Sequence, residues 1–311
     1  MRAVVVRSYG GPEVLEVAEV PVPEPGPGQV RIRMAAATVN PVDLATRAGA
    51  LAEAGLMPVR EVTGLGWDVA GTVERLGPGV ARRGGRFTVG DSVIGLADRL
   101  DVPLGAQADL VVLDADAVAF APPGLSPVEA ATLPLAGLTA AQALDDLGLP
   151  EGSTVLVTGA AGAVGGFAVE LAAARGLRVV ATAGAADEAQ VRKLGAEWFV
   201  PRSVARLGAA VRTLVPGGVD GVLDAAVAGI EAHDAVRGGG VFAALVAGGA
   251  PPALRGTRVV HTWIRADGAM LAEVAGRLTP RVAGTLPLER VAEAHERLAR
   301  RGLRGRLVLV S

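Results

Sequence analysis

Thr154-Val-Leu-Val-Thr-Gly-Ala-Ala-Gly-Ala-Val-Gly165 is the stretch whose reading decides the fold. A β-type run leads into glycines at 159, 162 and 165, and Val164–Ala174 then has helical character. The GxxGxxG spacing is a relative of GxGxxG, with Ala161 in place of the middle glycine. Such a turn is tight and lets the backbone approach a pyrophosphate, and the helix start supplies N–H groups and a positive dipole. A plain strand-to-helix turn is the other reading of a glycine triplet. The strand before it, the helix after it and a second strand at Arg178–Thr182 favour dinucleotide binding. The expected coenzyme contacts are Gly159, Ala160, Gly162, Ala163, Val164 and Gly165, with Val241 on a later strand.

NAD enzymes of this design place Asp or Glu at the end of the second strand, roughly twenty residues downstream, to bind the ribose 2′-OH. The chain reads Ala181-Thr-Ala-Gly-Ala-Ala186 there. With no carboxylate to repel a 2′-phosphate and Gly184 leaving room, the expected coenzyme is NADPH. Arg202, just past the third strand, is the basic residue expected to meet the phosphate, ahead of Arg192 and Lys193. A solvated surface charge is the alternative for each.

Outward from this turn, buried-type strands at Val155–Val157, Arg178–Thr182, Trp198–Val200, Gly221–Leu223 and Val241–Val246 alternate with helical stretches at Glu188–Leu194 and Ala205–Leu214. Alternation of this kind predicts a doubly wound parallel α/β sheet. The first 120 or so residues read differently, as short β runs divided by Gly/Pro-rich turns. Near Pro122–Pro123 helices are expected over Ser126–Leu133 and Gly137–Leu147, with Ser126 and Glu129 forming a capping box. The expected division is 1–121, 122–264 and 265–311. His295 is expected to be half-exposed on a helix, and His233 to lie in a polar connection.

Composition narrows the function. Half of the 311 residues are apolar, and a net charge of −2 offers no footprint for nucleic acid or an anionic membrane. The absence of cysteine excludes disulfides, thiolate zinc sites and a cysteine nucleophile. His233, His261 and His295 are too scattered to form a ligand pair. No apolar run approaches a signal h-region or a membrane span, so a cytoplasmic protein with a small neutral partner is expected.

Asn40-Pro-Val-Asp43, Gly66-Trp-Asp-Val-Ala-Gly71, Val89-Gly-Asp-Ser-Val-Ile-Gly95, the Ala130–Leu144 stretch, Lys193-Leu-Gly-Ala196, Gly218-Val-Asp-Gly-Val-Leu-Asp224 and Arg304-Gly-Arg306 follow one another in a recognisable order. With them the chain resembles the medium-chain dehydrogenase/reductase superfamily, and within it the zinc-free quinone oxidoreductase branch. The resemblance implies a β-rich GroES-like catalytic domain, a Rossmann domain and a C-terminal return to the first. Relatives with catalytic zinc hold it at positions that are Asn40, Trp67 and Asp68 here, a set that does not suit zinc.

What remains is hydride transfer from NADPH to an acceptor that is already electrophilic, a quinone or an α,β-unsaturated carbonyl. An enoyl-thioester reductase and a non-catalytic NADPH-binding protein are the alternatives. By the resemblance, Asn40 either donates its amide to the substrate oxygen or orders its turn, Asp43 supports that geometry, and Thr139 contacts the nicotinamide end. Ala45 replaces a tyrosine of many relatives, and Asp187 stands where many have a lysine near the 2′-phosphate. Arg258–Ile264 looks like an edge strand of the kind that pairs two subunits, so a homodimer is expected.

Overall fold

The computed structural model describes residues 1–80, 87–246 and 248–311. It divides into two compact units. One comprises Met1–Leu135, Arg265–Gly276 and Pro280–Ser311, the other Ala136–Ile264 and Arg277–Thr279.

The first unit is built of β1 (Arg2–Val6), β2 (Glu16–Glu19), β3 (Gln29–Val39), β4 (Thr63–Gly64), β5 (Asp68–Leu76), β6 (Ser92–Leu96), β7 (Leu110–Asp114) and β8 (Val118–Phe120), with β15 (Val282–Pro287) and β16 (Arg306–Val310) from the chain's end. A small sheet has the order β2-β1-β4, and a larger one runs β15-β16-β3-β5-β6-β8 with β7 also paired to β3. The long strand β3 organises the unit, because Val30, Ile32 and Met34 alternate onto a buried face with Val69, Val73, Leu307 and Leu309. Its pairing with β5 is broken by register shifts between Arg31/Ile32 and Met34/Ala36. Such bulges re-aim side chains, here next to the stretch that carries Thr38 and Asn40.

The second unit holds β9 (Thr154–Thr158), β10 (Arg178–Ala183), β11 (Trp198–Pro201), β12 (Val219–Asp224), β13 (Val236–Ala244) and β14 (Arg258–His261). They form one sheet in the order β11-β10-β9-β12-β13-β14, and every pairing is parallel. The doubly wound expectation is met. The order reverses between β9 and β12, the switch point outside whose carboxyl edge ligands bind in such sheets. Leu156, Val180, Val222 and Phe242 are fully buried, as the near-continuous apolar runs require when both faces are covered.

Local departures from expectation have local causes. Ser126 and Glu129 form their capping box, but the helix runs only over Pro127–Ala130, and a second helix starts at Pro134 and ends at Leu147. Pro134 disfavours helical geometry at Leu133. His295 is fully buried rather than half-exposed, because Val291, Ala294 and His295 share the inner stripe of helix Val291–Ala299. Burial and the neighbouring Arg47 push its imidazole down to about 4. His233 is also buried, with Nε2 2.7 Å from Thr257 Oγ1. The expected edge strand stops at His261, and Trp263 lies beyond it. No helix among the described residues is long and apolar enough to cross a membrane.

Candidate functional site

In the first unit, Pro41 opens the helix Pro41–Ala48 and Gly49, at φ 89°, closes it. Asn40 is the N-cap, and Asp43, three residues on, accepts its N–H at 2.7 Å. The other Asp43 oxygen accepts the N–H of Gly66 at 2.9 Å. One carboxylate thereby ties the Asn40-Pro-Val-Asp43 turn to the approach of β5. Asp43 is fully buried, and burial pushes its carboxyl up to about 7 against the pull of these two amides and of Arg306.

A second buried carboxylate stands beside it. Asp68, first residue of β5, accepts the N–H of Leu135 at 2.5 Å, Asn40 Nδ2 at 2.7 Å and the hydroxyl of Thr38. Asn40 Nδ2 also donates to Thr38 Oγ1 at 2.9 Å. Both hydrogens of the Asn40 amide are used inside this network, its Oδ1 has no partner, and the residue is fully buried. Burial raises the Asp68 carboxyl, opposed by its three donors and by the buried Arg306. In return, burial lowers the Arg306 guanidinium while Asp68 and Asp43 support its charge. Nearby, Thr46, Met57, Thr63, Trp67, Leu100 and Gly105 belong to the lining of a cavity of about 30 Å³. The stretches 48–63 and 98–105 meet there.

In the second unit the site is made of backbone. Gly159 follows β9 at φ +61°, which favours glycine, and its carbonyl accepts the Gly162 N–H at 2.9 Å. The helix Ala163–Ala174 starts next, with Gly162 as an N-cap that has no side chain to fill the helix mouth. A Cβ on Gly165 would lie 2.2 Å from the Gly159 carbonyl oxygen, so only glycine lets helix and turn approach this closely. A helix start capped by glycine is the kind of place at which a pyrophosphate is bound. The residues present therefore fit a nicotinamide dinucleotide.

Thr158 and Asp224, at the carboxyl ends of the adjacent strands β9 and β12, brace the turn. The Thr158 hydroxyl donates to Asp224 Oδ1 at 2.5 Å, and the Asp224 carboxylate accepts the N–H groups of Ala228 and Gly229 at 3.0 and 2.8 Å. Neither residue was singled out from the sequence as a site residue. The acidic residue closing the apolar run Gly221–Leu223 was the available signal.

Gly184 and Arg202 both reach the same carboxyl edge: β10 and β11 pair Ala183 with Pro201, and the Arg202 N–H donates to the Ala183 carbonyl at 2.7 Å. Val241 does not. It pairs with Gly221, three residues short of the edge that Asp224 and Ala244 mark. Thr139 is buried on the helix Pro134–Leu147. One premise needs correction. The end of β10 is not clear of carboxylate, because the chain turns back after Gly184 and brings Asp187 Oδ2 to 2.9 Å from where a Gly184 Cβ would stand. The space expected to be open at Gly184 is occupied.

A β-rich unit with a buried polar node, joined in one chain to a parallel sheet with a glycine turn at its switch point, is the architecture of a two-domain dehydrogenase. Two family descriptions match the chain: "Alcohol dehydrogenase GroES-like domain" over residues 26–123 and "Zinc-binding dehydrogenase" over 163–273. The crystal structure of an NAD-dependent alcohol dehydrogenase is 33% identical, with a TM-score of 0.87 and full coverage of both chains. The quinone oxidoreductase of Coxiella burnetii is 29% identical with a TM-score of 0.86, covering 100% of this chain and 99% of that one. Among curated proteins, a chloroplastic quinone-oxidoreductase homolog of Spinacia oleracea is 36% identical over 204 residues, 63% of this chain and 60% of that protein. The chain belongs to the medium-chain dehydrogenase/reductase superfamily, in its quinone oxidoreductase-like branch.

Proposed function

We propose that the protein is a nicotinamide-dependent reductase that passes a hydride to a quinone or an α,β-unsaturated carbonyl without a catalytic metal. The first unit serves as the catalytic part and the second as the coenzyme-binding part. The observation that carries the reading is the glycine turn Gly159–Gly165, with Gly162 as N-cap, at the switch point of the parallel sheet. Its likeness to quinone oxidoreductases supports the acceptor class.

The metal-free half of the proposal rests on donor chemistry. Of the three positions that hold zinc in related enzymes, Asn40 spends its amide hydrogens on Thr38 and Asp68, and Trp67 is no ligand. The Asp68 oxygens accept from Thr38, Asn40 and Leu135. This set does not fit zinc, so no step is routed through it.

A bound reduced nicotinamide supplies a hydride from its C4, which needs an acceptor carbon that is already electrophilic. The chain supplies orientation. Asn40 and Asp43 act as positioning residues. Asp43 pins the start of the Pro41–Ala48 helix to Gly66, and Asn40 locks that turn onto Asp68. Water or a bound hydroxyl completes protonation of the reduced acceptor. Either NADPH or NADH answers to this much of the reading. The last strand of the parallel sheet, β14, is proposed as the edge at which two copies pair.

The test is loss of reduced-nicotinamide absorbance with NADPH and NADH separately, against ortho-quinones, para-quinones, enones and enoyl thioesters. Turnover of quinones or enones is expected. Tight coenzyme binding with no turnover of any acceptor would instead mark a binding protein, and turnover confined to enoyl thioesters would move the substrate class. Gly162→Asp, which sets a carboxylate at the helix mouth, is expected to abolish coenzyme binding; retained affinity would refute the placement of the pyrophosphate.

A further inference from the structure

We propose that a cavity of about 210 Å³ in the first unit binds a neutral molecule of one or two apolar rings, and that its occupancy reshapes the smaller cavity beside Trp67. The binding half of this inference does not depend on the proposed activity. One wall of the cavity is β7. Val111 and Leu113 belong to the buried core, so the alternation of a strand gives Leu110 and Val112 to the other face. Leu96, Val102, Pro103 and Leu104 add to the lining, with Pro23 from the connector before β3. An apolar cavity of about 150 Å³ is enough to take up benzene. This one has room for a substituted ring or for two small fused rings.

The charged groups that line it are already engaged. Glu24 pairs with Arg31 at 3.0 Å and with Arg75 at 2.6 Å, and Arg99 donates to Asp101 at 3.0 Å. Asp98 accepts the Ala266 N–H at 2.7 Å, and Asp114 accepts Gln29 Nε2 at 2.9 Å. A charged ligand would give up its hydration to groups that are paired with one another, whereas a neutral apolar one gains by leaving water. The link to the smaller cavity is a shared wall, since Ala97, Arg99, Val102, Leu104 and Gly105 line both. The segment that carries them is laid backbone on backbone along residues 64–67. The Gly64 N–H donates to the Pro103 carbonyl at 2.7 Å, the Ala106 N–H to the Gly66 carbonyl at 2.9 Å, and the Ala97 N–H to the Trp67 carbonyl at 2.7 Å. A Cβ on Gly105 would lie 2.4 Å from the Leu65 carbonyl oxygen, so no side chain pads this contact. Close-packed structure transmits strain. Displacement of the wall from the larger side therefore reaches Leu65 and Trp67, which line the smaller one.

The experiment is titration of the full chain, followed by fluorine NMR, with 4-fluorotoluene, 4-fluorobenzoate and 4-fluorobenzylamine. The neutral probe is expected to bind with a Kd of about 1 mM or below, and the two charged probes at least about tenfold more weakly. Val112→Phe and Leu110→Phe fill the cavity from β7, and each is expected to weaken the neutral probe at least about tenfold. Two filling variants are used because overpacking can unfold one of them, which urea unfolding reports. Met57→Ala alters the lining of the smaller cavity alone and should leave the affinity unchanged. No binding by wild type, or full binding by a folded filling variant, overturns the site, and a charged probe that binds as tightly as the neutral one overturns the ligand class. Trp198→Phe and Trp263→Phe together leave Trp67 as the only tryptophan, and saturation with 4-fluorotoluene should then shift its emission maximum. Binding without that shift overturns the coupling. None of these readouts uses turnover, so their failure leaves the proposed reductase activity untouched.

Discussion

At the start of the helix Pro41–Ala48 the first unit buries two carboxylates and an amide under the influence of a buried guanidinium, whereas at the start of the helix Ala163–Ala174 the second unit dispenses with side chains. The two solutions answer different demands. A dinucleotide's phosphates are recognised by amide groups that exist at any helix start, so what matters is keeping the approach clear. A hydride acceptor needs a surface held in one shape, and charged groups with several hydrogen bonds each can hold it. Buried charge is costly unless partnered. The first unit should therefore respond strongly to loss of a partner and to pH, and the second chiefly to added bulk.

The largest effect expected from that contrast is in the first unit. Asp68→Ala removes the acceptor shared by Thr38, Asn40 and Leu135 and takes a carboxylate away from buried Arg306. Breaking a buried ionic network in this way costs about 3–5 kcal/mol. Urea unfolding of the variant should show it. A loss below about 1 kcal/mol, the scale of a single hydrogen bond, would mean the node is no more than an ordinary polar contact.

The second unit gives the next effect. Gly165→Ala places a Cβ 2.2 Å from the Gly159 carbonyl oxygen, and both are backbone-fixed. Overpacking of this kind costs about 1–3 kcal/mol. If the turn widens to relieve it, coenzyme affinity should fall about tenfold to a hundredfold. Unchanged affinity would show that the turn tolerates bulk and would remove half of the contrast.

The glycine turn and the parallel sheet were legible because their signals are local: glycine spacing, apolar runs and the alternation of strand with helix. The polar node was legible only in part, through the resemblance that sets Asn40 and Asp68 at one site, and Thr38 and the hydrogen bonds that join them were not. Asn40 and Asp68 are 28 residues apart, and Thr38 and Asp68 are 30 apart. Their meeting depends on β3 and β5 pairing through two register shifts that no pattern of residue types announces. Asp187 was legible as a residue, since it stands where many relatives have a lysine near the 2′-phosphate, but its return to Gly184 was not, because that depends on the turn after β10. His295 was recoverable, since it sits four residues after Val291 on the stripe that Val291 and Ala294 already mark as buried.

A pH series separates the units further. Asp43 has an ordinary value of 3.8 and is held at about 7 in the fold, chiefly by burial. Because the folded value is the higher one, its contribution to stability is fully present below 3.8 and is lost as pH rises through about 7. A shift of that size corresponds to about 4 kcal/mol. His295, moved from 6.5 to about 4, acts the other way, with stability present above 6.5 and lost as pH falls through about 4. The two slopes oppose each other between about 4 and 6.5, so the wild-type curve alone hides both. The informative quantity is the difference between wild type and Asp43→Asn, which should swing progressively in the variant's favour from pH 4 to pH 7. A difference independent of pH would show that Asp43 keeps its charge throughout.

The smallest effect belongs on the outside of the second unit, and it tests whether that unit's ion pairs matter at all. Arg178 stands at the start of β10, donates to both oxygens of Glu197 at 2.9 and 2.7 Å, and lies 4.5 Å over the Trp198 ring. Its side chain and that of Glu197 are about half exposed, at 51% and 43%. Exposed pairs contribute about 0–1 kcal/mol, and a cation over an exposed ring about 0.5–1 kcal/mol. Arg178→Ala should therefore lower stability far less than Asp68→Ala does and leave coenzyme affinity alone, because Arg178 lies at the opposite end of β10 from Gly184. The stability loss should shrink in high salt to the extent that the Glu197 pairing supplies it. If Arg178→Ala instead matched Asp68→Ala in unfolding, partnered charge would matter as much on the surface of the second unit as in the interior of the first.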